Sequence, residues 1–391
     1  MKRNLNFAKL QAGYLFPEIN RRKNLLLDKE PNAKIISLGI GNTTEPLTPN
    51  ISKGLSEAAL SMATREGYSG YGDEQGFKEL QKAVADKLYN NIIDSDDIFI
   101  SDGSKCDIGR IQFLFHDKAS VAVQDPAYPA YVDSSVIAGH TDVSYLACTK
   151  DNGYFPDLNL AKGKDLIYFC SPNNPTGAVS SKEELEKLVK FAKENNSIII
   201  FDSAYAMFIK DSNLPKSIYE IEGAKECAIE VGSFSKIAGF TGVRLGWTIV
   251  PKELKFDCGH EVKKDFNRLM CTIFNGASNI IQHGGIAALS EDGLKEVQSL
   301  IDFYMENAKI LGQMLKESKV DYVGGENSPY LWAHFPGKKS WDVFEDILTK
   351  AHVVTTPGSG FGPAGEGYVR FSAFGSRENV LEACERLKEV L

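Results

Sequence analysis

The fold is decided by the stretch Leu166-Ile167-Tyr168-Phe169-Cys170, followed by residues 181–195 and by Ile198-Ile199-Ile200-Phe201-Asp202. The two outer runs are continuously apolar, as strands buried on both faces are. Between them, Ser181 and Glu184 have the spacing of a capping box. A helical stripe follows, formed by Leu185, Leu188, Val189 and Ala192. A strand, a helix and a strand in this order predict a parallel βαβ unit.

Further apolar runs extend this pattern in both directions. They lie at residues 98–101, 120–124, 143–147, 228–232 and 245–250. Together with the first two runs, they predict an α/β fold with a mostly parallel seven-stranded sheet covered by helices. Ligands of such sheets bind outside the carboxyl ends of the strands. We therefore expect the functional residues to follow directly after these runs.

The pattern changes after about residue 279, where it becomes mainly helical. Residues 294–318 predict a long amphipathic helix, and residues 329–334 and 368–372 predict short strands. These elements predict a second, smaller α+β domain. We expect residues 1–47 to form an N-terminal arm and part of that small domain, residues 48–280 the large α/β domain, and residues 281–391 the rest of the small domain.

The composition is ordinary for a globular enzyme with a large core. The 391 residues are 43% hydrophobic and 25% charged, and the net charge of -8 argues against a general nucleic-acid or membrane-surface role. Seven cysteines without a C-x-x-C pair predict reduced thiols in a cytoplasmic protein. The six histidines show no metal-ligand spacing, so we expect no metal. The sequence contains no run of about 18 apolar residues, so we expect no membrane span.

The motif richest in chemistry is a glycine-rich turn between residues 232 and 247. It contains Ser233, Ser235, Lys236 and Arg244. A lysine amine can bond to an aldehyde, serine hydroxyls can donate to phosphate oxygens, and an arginine can clamp a phosphate. A lone lysine is usually a surface residue, and a serine-rich turn is usually only a turn. The combination predicts a site for an anionic cofactor that is also held through an amine.

Two upstream loops provide further candidates. Residues 101–105 end a strand and open a predicted helix over 106–115, so that Gly103, Ser104 and Lys105 can hold a phosphate, although many helices begin in this way. In residues 124–129, prolines on both sides fix the backbone of Tyr128, which suits a ring stacked on a planar cofactor. A packed core tyrosine is the alternative there.

Two downstream loops complete the set. In residues 171–177, two prolines and a glycine fix Asn174, whose amide can donate to a phenolate oxygen; a plain structural turn is the alternative. Asp202 ends an apolar strand, where a carboxylate is costly without a cationic partner. Tyr205 follows it closely enough to reach the same ligand. A helix cap is the alternative for Asp202.

Together these loops predict pyridoxal 5′-phosphate. We expect Lys236 to take the aldehyde and shuttle protons, Asp202 to keep the ring nitrogen protonated, and Tyr205 to hold the ring oxygen with Asn174. Tyr128 is expected to stack on the ring. The residues expected to hold phosphate are Gly103, Ser104, Lys105, Ser233, Ser235 and Arg244. Residues 360–365 match G-x-G-x-x-G, but a strand follows them, so we interpret them as a loop and not as a dinucleotide site.

These motifs resemble those of the fold-type I pyridoxal-phosphate-dependent aminotransferases. The resemblance rests on residues 171–177, on Asp202 with Tyr205, and on residues 233–236 with Arg244. It covers nearly the whole chain. The segments similar to the subfamily that acts on LL-2,6-diaminopimelate are residues 9–19, 38–47, 67–76, 124–133, 274–279 and 368–372.

The resemblance implies a homodimer with active sites at the subunit interface. It implies that Arg370 binds the substrate α-carboxylate with help from Asn174, which suits an arginine fork; a surface salt bridge is the alternative for Arg370. It also implies that Tyr71 reaches the cofactor phosphate of the partner subunit. The other implied substrate contacts are Gly41, Lys105 and Tyr128, with Tyr14, Glu74 and Asn275 contributed by the partner subunit.

We therefore expect amino transfer from LL-2,6-diaminopimelate to 2-oxoglutarate. The products would be glutamate and a compound that cyclises to tetrahydrodipicolinate, in lysine and cell-wall precursor synthesis. Glu74 suits the distal ammonium of diaminopimelate, which glutamate lacks. The alternatives are an aminotransferase for aspartate, aromatic amino acids or alanine, a β-lyase or decarboxylase, and a cofactor-binding regulator. The retained lysine and the lack of a DNA-binding appendage argue against the regulator.

Overall fold

The structure is a computed structural model that describes residues 1–10 and 15–391. In this part of the chain the strands are β1 (Ile36–Ser37), β2 (Ile98–Ser101), β3 (Val121–Asp125), β4 (Val143–Ala147), β5 (Leu166–Cys170), β6 (Ile198–Asp202), β7 (Ala228–Ser233), β8 (Gly246–Ile249), β9 (Asp321–Gly324), β10 (Tyr330–His334), β11 (Val353–Val354), β12 (Thr356–Pro357) and β13 (Tyr368–Ser372). The helices are α1 (Leu15–Lys29), α2 (Pro49–Ser61), α3 (Lys78–Tyr89), α4 (Ser104–Ile111), α5 (Ala130–Ala138), α6 (Lys182–Asn195), α7 (Phe234–Ile237), α8 (Val262–Ile273), α9 (Asn279–Leu289), α10 (Glu291–Glu317), α11 (Ser340–Ala351) and α12 (Arg377–Lys388).

A seven-stranded sheet forms the centre of the fold. Its strand order is β2-β8-β7-β6-β5-β3-β4. Strand β8 runs antiparallel to both of its neighbours, and the other pairs are parallel. Each of the seven predicted runs is a strand of this sheet, so the predicted mostly parallel α/β architecture is confirmed.

The βαβ unit β5-α6-β6 forms as its sequence predicts. Ser181 caps α6: its Oγ accepts a hydrogen bond from the Glu184 amide at 3.2 Å, and the Glu184 carboxylate accepts one from the Ser181 amide at 2.8 Å. The predicted stripe of four apolar residues is buried against the sheet. Burial of a leucine side chain contributes about 1.5–3 kcal/mol, so this stripe fixes the helix on the sheet.

A second sheet lies in the C-terminal part of the chain. Its order is β12-β13-β10-β9, and all of its pairs are antiparallel. The N-terminal segment joins this part, because β1 pairs in parallel with β11, with Ile36 opposite Val353. The pairing supports our placement of the N-terminal segment with a small domain. The boundaries at residues 47 and 280 remain our proposal.

Two predicted helices begin earlier than expected. Helix α10 begins at Glu291 and not at residue 294, because Ser290 caps it and accepts from the Gly293 amide at 3.0 Å. Our prediction followed the apolar pattern, which begins at Leu294, and did not use the start signal given by Ser290 with the acidic residues Glu291 and Asp292. Helix α4 begins at Ser104, directly after Gly103, and ends at Ile111, with a short 3-10 turn over Gln112–Leu114. The predicted helix over 106–115 was therefore misplaced at both ends.

The carboxyl ends of β2, β3, β5, β6 and β7 lie at one edge of the large sheet, since these strands run in the same direction. The loops selected from the sequence follow these ends. Residues 360–365, in contrast, form a loop of short 3-10 turns before β13, as predicted. No helix of the described residues combines the length and apolar composition needed to cross a membrane.

Candidate active site

A cavity of about 580 Å³ lies at this edge of the large sheet, and the second sheet closes one side of it. Most of the predicted site residues line it. These are Gly41, Ser104, Lys105, Tyr128, Asn174, Asp202, Tyr205, Ser233, Ser235, Lys236, Arg244 and Arg370. Residues that are up to 329 positions apart in sequence, Gly41 and Arg370, therefore share one cavity. Gly103 does not line the cavity, but it lies next to the guanidinium of Arg244, which does.

Lys236 lies on the short helix α7, which follows the end of β7. Ser233 caps this helix, and its Oγ accepts from the Ser235 amide at 3.1 Å. The Lys236 Nζ donates to the Gly41 carbonyl oxygen. Burial, together with the positive charges of Arg370 and Arg244, lowers the pKa of Lys236 to about 7. Its amine is therefore substantially neutral near pH 7, as a nucleophile or a proton acceptor must be.

Asp202 ends β6 and is buried. Its Oδ2 accepts a 2.7 Å hydrogen bond from the Tyr131 hydroxyl, and its Oδ1 accepts one from the Ala204 amide at 3.0 Å. Burial raises the pKa of Asp202, while these two donors and the charge of Lys236 oppose that shift. Since Oδ2 is bound by a side chain 71 residues away, a local helix cap is not a sufficient account of this carboxylate.

Arg370 is in the middle of β13 and is only 1% exposed. Its Nη1 donates to Asn174 Oδ1 at 2.6 Å, and its Nη2 donates to the Gly39 carbonyl oxygen. The guanidinium lies between aromatic rings, 4.3 Å from the Tyr330 centroid and 4.9 Å from the Phe361 centroid. The burial of Arg370 excludes the alternative of a surface salt bridge.

The charge of Arg370 is the most informative electrostatic feature of the cavity. Among the residues that the structure describes, no carboxylate lies within ion-pair distance of it, and its buried Nε has no hydrogen-bond partner. A buried cation without a counterion is costly. An arginine fork also matches a carboxylate in shape. The site is therefore built to receive an anionic group beside Arg370.

A second cationic position lies at the start of α4. Arg244 Nη1 donates to Ser235 Oγ at 3.0 Å. Gly103, with φ of 124°, leaves room for the Arg244 guanidinium, which a Cβ at this position would meet. Ser104 and the exposed Lys105 occupy the first turn of α4, where backbone amides attract anions. This part of the cavity suits a phosphate group.

The remaining predicted contacts of the cofactor ring, Tyr205 and Tyr128, line the same cavity as these two cationic positions. The Tyr205 hydroxyl forms a 2.7 Å hydrogen bond with the Tyr330 hydroxyl. The Tyr128 ring packs edge-on against Tyr131, with centroids 5.8 Å apart, and the Lys105 Nζ lies 5.9 Å from its centroid. Tyr128 is half-buried at the cavity wall, as a ring that stacks on a ligand must be.

The residues predicted to act from a partner subunit are not brought to this cavity. Tyr71 is 91% exposed, Glu74 is half-buried, and Asn275 is exposed. Glu74 and Asn275 lie in adjacent segments, since a Cβ on Gly276 would be 3.5 Å from the Glu74 Cα. None of the three lines the cavity of its own chain. Tyr14 falls outside the described residues.

Several cavity residues were missed from the sequence. They are Lys23, Tyr131, Thr241, Tyr330 and Phe374. Tyr131 had a usable signal, because it follows Tyr128 by three residues at the start of a helix and therefore points to the same side. Thr241 lies within the glycine-rich turn over 232–247 and could have been included with it, whereas Tyr330 and Phe374 had no signal because their local patterns reflect only burial.

Comparisons with known proteins agree on one family. Residues 33–387 match the model for "Aminotransferase class I and II". The chain is 59% identical to the probable chloroplastic LL-diaminopimelate aminotransferase of Oryza sativa subsp. japonica, over 99% of this chain and 86% of that protein. It is 53% identical to the LL-diaminopimelate aminotransferase of Protochlamydia amoebophila (strain UWE25), over 100% and 98% of the two chains. The solved structure of L,L-diaminopimelate aminotransferase from Chlamydomonas reinhardtii superposes with a TM-score of 0.96 at 57% identity, covering 100% of this chain and 98% of that one.

Proposed function

The chain belongs to the class I and II aminotransferases, and we propose that it transfers the amino group of LL-2,6-diaminopimelate to 2-oxoglutarate. The products are glutamate and an amino-oxo-pimelate that cyclises to tetrahydrodipicolinate. The observation that carries the proposal is the pairing, in one cavity, of a lysine with a pKa of about 7 and a buried arginine to which the described residues offer no carboxylate partner. That pair suits proton transfer at the α-carbon of a bound amino acid.

The cavity residues fit pyridoxal 5′-phosphate as the cofactor. Arg244, with Ser235 and the start of α4, would hold its phosphate, and Lys236 would hold its aldehyde carbon. Asp202, a buried carboxylate whose hydrogen-bond donors are both neutral, would balance a protonated ring nitrogen. Tyr128 would cover one face of the ring. When bound, the cofactor supplies the electron sink that makes removal of the α-proton feasible.

The two residues at the ring oxygen are oriented by their neighbours. Asn174 Oδ1 accepts from Arg370, so the Nδ2 of the same amide is the group that remains to donate to a ligand oxygen. Tyr205 is held by Tyr330. These contacts would orient both donors for one ligand oxygen.

The substrate α-carboxylate would bind to Arg370, where it supplies the missing counterion. Once the substrate amine has replaced Lys236 on the cofactor, the freed Lys236 amine, whose pKa is about 7, would accept the proton from the substrate Cα and could return a proton in the reverse direction. Because Arg370 and Lys236 line the same cavity, the carboxylate fixes the α-carbon relative to the amine. This positioning serves both the amino donor and the keto-acid acceptor, since both carry that carboxylate.

The far end of the substrate calls for a second subunit. Diaminopimelate carries an ammonium and a carboxylate there, so the site needs both an acceptor and donors. We propose that Tyr14, Glu74 and Asn275 of a partner subunit meet this need in a cytoplasmic homodimer, and that the partner's Tyr71 contacts the phosphate. The location of Glu74 and Asn275 in adjacent segments supports a joint role.

The test is a direct assay of the purified protein. LL-diaminopimelate is supplied with 2-oxoglutarate, and both glutamate and the cyclised product are followed, with meso-diaminopimelate and aspartate measured in parallel. Preference for the LL isomer supports the proposal. Turnover of aspartate or an aromatic donor without diaminopimelate would keep the amino-transfer chemistry and exclude the proposed substrate.

A further inference from the structure

Tyr330 contacts two residues of the proposed active site, Tyr205 through its hydroxyl and Arg370 through its ring. It begins β10, its side chain is 1% exposed, and its hydroxyl lies 2.7 Å from the Tyr205 hydroxyl. The two rings pack edge to face, with centroids 5.1 Å apart. No other hydrogen bond of the Tyr330 hydroxyl occurs among the described parts of the chain. Its polar atom is therefore dedicated to Tyr205.

The number of protons decides the direction of this hydrogen bond. Burial raises the pKa of both Tyr205 and Tyr330, so both hydroxyls keep their protons. A hydroxyl has one proton to donate. If Tyr205 is to donate to a cofactor oxygen, it must accept from Tyr330. We propose that Tyr330 is a positioning residue for amino transfer, which donates to Tyr205 and thereby directs the Tyr205 proton into the cavity.

The Tyr330 ring has a second contact, with the carboxylate-binding side of the cavity. The Arg370 guanidinium lies 4.3 Å from its centroid, a distance typical of a cation–π contact. The ring therefore supports Arg370 while the hydroxyl supports Tyr205. One side chain thus aligns the residue proposed to hold the substrate with a residue proposed to hold the cofactor.

Gly41 shows how closely the Tyr330 hydroxyl approaches the reacting amine. A Cβ at Gly41 would collide with the Tyr330 hydroxyl and would lie 3.5 Å from Lys236 Nζ. The Gly41 carbonyl is also the acceptor for Lys236. The Tyr330 hydroxyl and the Lys236 amine therefore both lie against Gly41. The absence of a side chain at position 41 leaves the space in which the Tyr330 hydroxyl reaches Tyr205.

Tyr330→Phe removes the hydroxyl and keeps the ring. In the cofactor-loaded enzyme, the pH midpoint of the visible absorbance change reports the proton at the Lys236–cofactor linkage. A donor at the ring oxygen favours the form with more negative charge on that oxygen. When Tyr330 no longer orients the Tyr205 hydroxyl, the pH midpoint should therefore rise by about half a unit to one unit. We expect kcat to fall about 2- to 10-fold with KM unchanged, since the ring still supports Arg370.

The decisive comparison uses Tyr205→Phe and the double variant. If Tyr330 acts through Tyr205, then Tyr330→Phe adds no further shift of the midpoint in the Tyr205→Phe background. Tyr219→Phe is the matched control, since Tyr219 is also buried and the single proton of its hydroxyl is shared between the Ala228 and Ile249 carbonyls, away from the cavity. Tyr219→Phe should leave the pH midpoint at the wild-type value, with a melting temperature similar to that of Tyr330→Phe.

A midpoint that stays at the wild-type value in Tyr330→Phe, or shifts that simply add in the double variant, would overturn the inference. It rests on the proposed function only for the cofactor. The titration needs no substrate, so its result can be interpreted even if diaminopimelate is not the substrate.

Discussion

Arg370 and Asn174, 196 residues apart, are joined by a 2.6 Å hydrogen bond from the guanidinium Nη1 to the amide Oδ1. Arg370 belongs to the second sheet, and Asn174 belongs to the loop after β5 of the large sheet. The contact orients the Asn174 amide and leaves part of the guanidinium for a ligand. It also links the second sheet to the large sheet at the active site.

Arg370→Lys tests the role of this guanidinium. A lysine keeps the charge but cannot form a fork and cannot bond to Asn174 in the same way. We expect kcat/KM to fall about 10- to 150-fold for every amino donor and keto acid, since a hydrogen bond to a charged group contributes about 1.5–3 kcal/mol. Steady-state kinetics with several substrates measure the loss.

Arg386→Lys provides the control. Arg386 lies on α12, where it pairs with Glu382 and donates to the Lys34 carbonyl, far from the cavity. It should change kcat/KM less than about twofold, as surface pairs contribute little. A loss confined to one substrate in Arg370→Lys would contradict a role at the α-carboxylate, because all substrates carry that group.

Much of this site was predictable because its chemistry lies in local motifs. Ser181 with Glu184, and the apolar runs around them, record local helix and strand preferences, and these predicted the large sheet. Since parallel strands place their carboxyl ends at one edge, the sequence alone predicts that Asp202 and Lys236 lie in one site. The start of α10 is signalled by Ser290 and the acidic residues after it, but the apolar pattern on which our prediction was based begins only at Leu294.

The contacts between distant segments could not be predicted from spacing. Tyr131 reaches Asp202 across 71 residues, and Tyr330 reaches Tyr205 across 125. A tyrosine in an apolar strand or helix carries the same local pattern whether its hydroxyl is used or not. The burial of Arg370 was hidden for a similar reason, since one strand does not reveal what covers it.

Asp202→Asn tests the buried carboxylate. A neutral amide cannot balance a protonated ring nitrogen, so we expect kcat to fall about 100- to 1000-fold, the loss typical when a preorganised electrostatic contact is removed. Tyr131→Phe removes one donor and keeps the carboxylate, and about a tenfold loss is expected. Loss of that donor raises the pKa of Asp202 further. The acidic limb of the kcat profile should therefore move to higher pH.

Tyr168→Phe separates the hydrogen bond from packing. The Tyr168 ring stacks on Tyr131 with centroids 5.2 Å apart, but its hydroxyl accepts a hydrogen bond from Gln112 and, unlike the Tyr131 hydroxyl, donates none to Asp202. We expect its acidic limb to stay at the wild-type pH. Equal displacements in Tyr131→Phe and Tyr168→Phe would mean that ring packing, and not the Tyr131 hydroxyl, controls the carboxylate.

Lys236→Met tests the low pKa of the lysine through the stability of the cofactor-free protein. The folded-state pKa of about 7 lies below the ordinary value of 10.5. Between these values the unfolded chain holds one more proton than the folded chain, so this lysine makes stability rise with pH. Below pH 7 its buried charge destabilises the fold fully. The melting temperature of Lys236→Met should therefore exceed that of the wild type most below pH 7, with the difference shrinking towards pH 10.

Thermal melts of the cofactor-free proteins from pH 6 to pH 10 measure this difference. Lys187→Met, an exposed position on α6, is the control and should keep the wild-type pH dependence. A constant difference between Lys236→Met and the wild type would show that methionine acts by packing alone, and that the amine has an ordinary pKa.

Glu74→Gln tests the distal ammonium contact. The amide is the same size but lacks the charge that an ammonium needs, so kcat/KM for LL-diaminopimelate should fall about 10- to 150-fold. Glutamate has no distal ammonium, and its kcat/KM should change less than about twofold. Glu79→Gln, at an exposed position of α3, should change neither. Equal losses on both substrates would refute the proposed role of Glu74.

Mixed dimers test which subunit supplies Glu74. In a dimer of one Lys236→Ala subunit and one Glu74→Gln subunit, the site with an intact Lys236 lies in the Glu74→Gln subunit. If Glu74 acts across the interface, that site receives it from the Lys236→Ala subunit, and each mixed dimer should show about half the wild-type turnover of LL-diaminopimelate. If Glu74 acts within its own chain, the same site keeps the glutamine and no activity is recovered. Because Glu74 does not line the cavity of its own chain, we expect recovery.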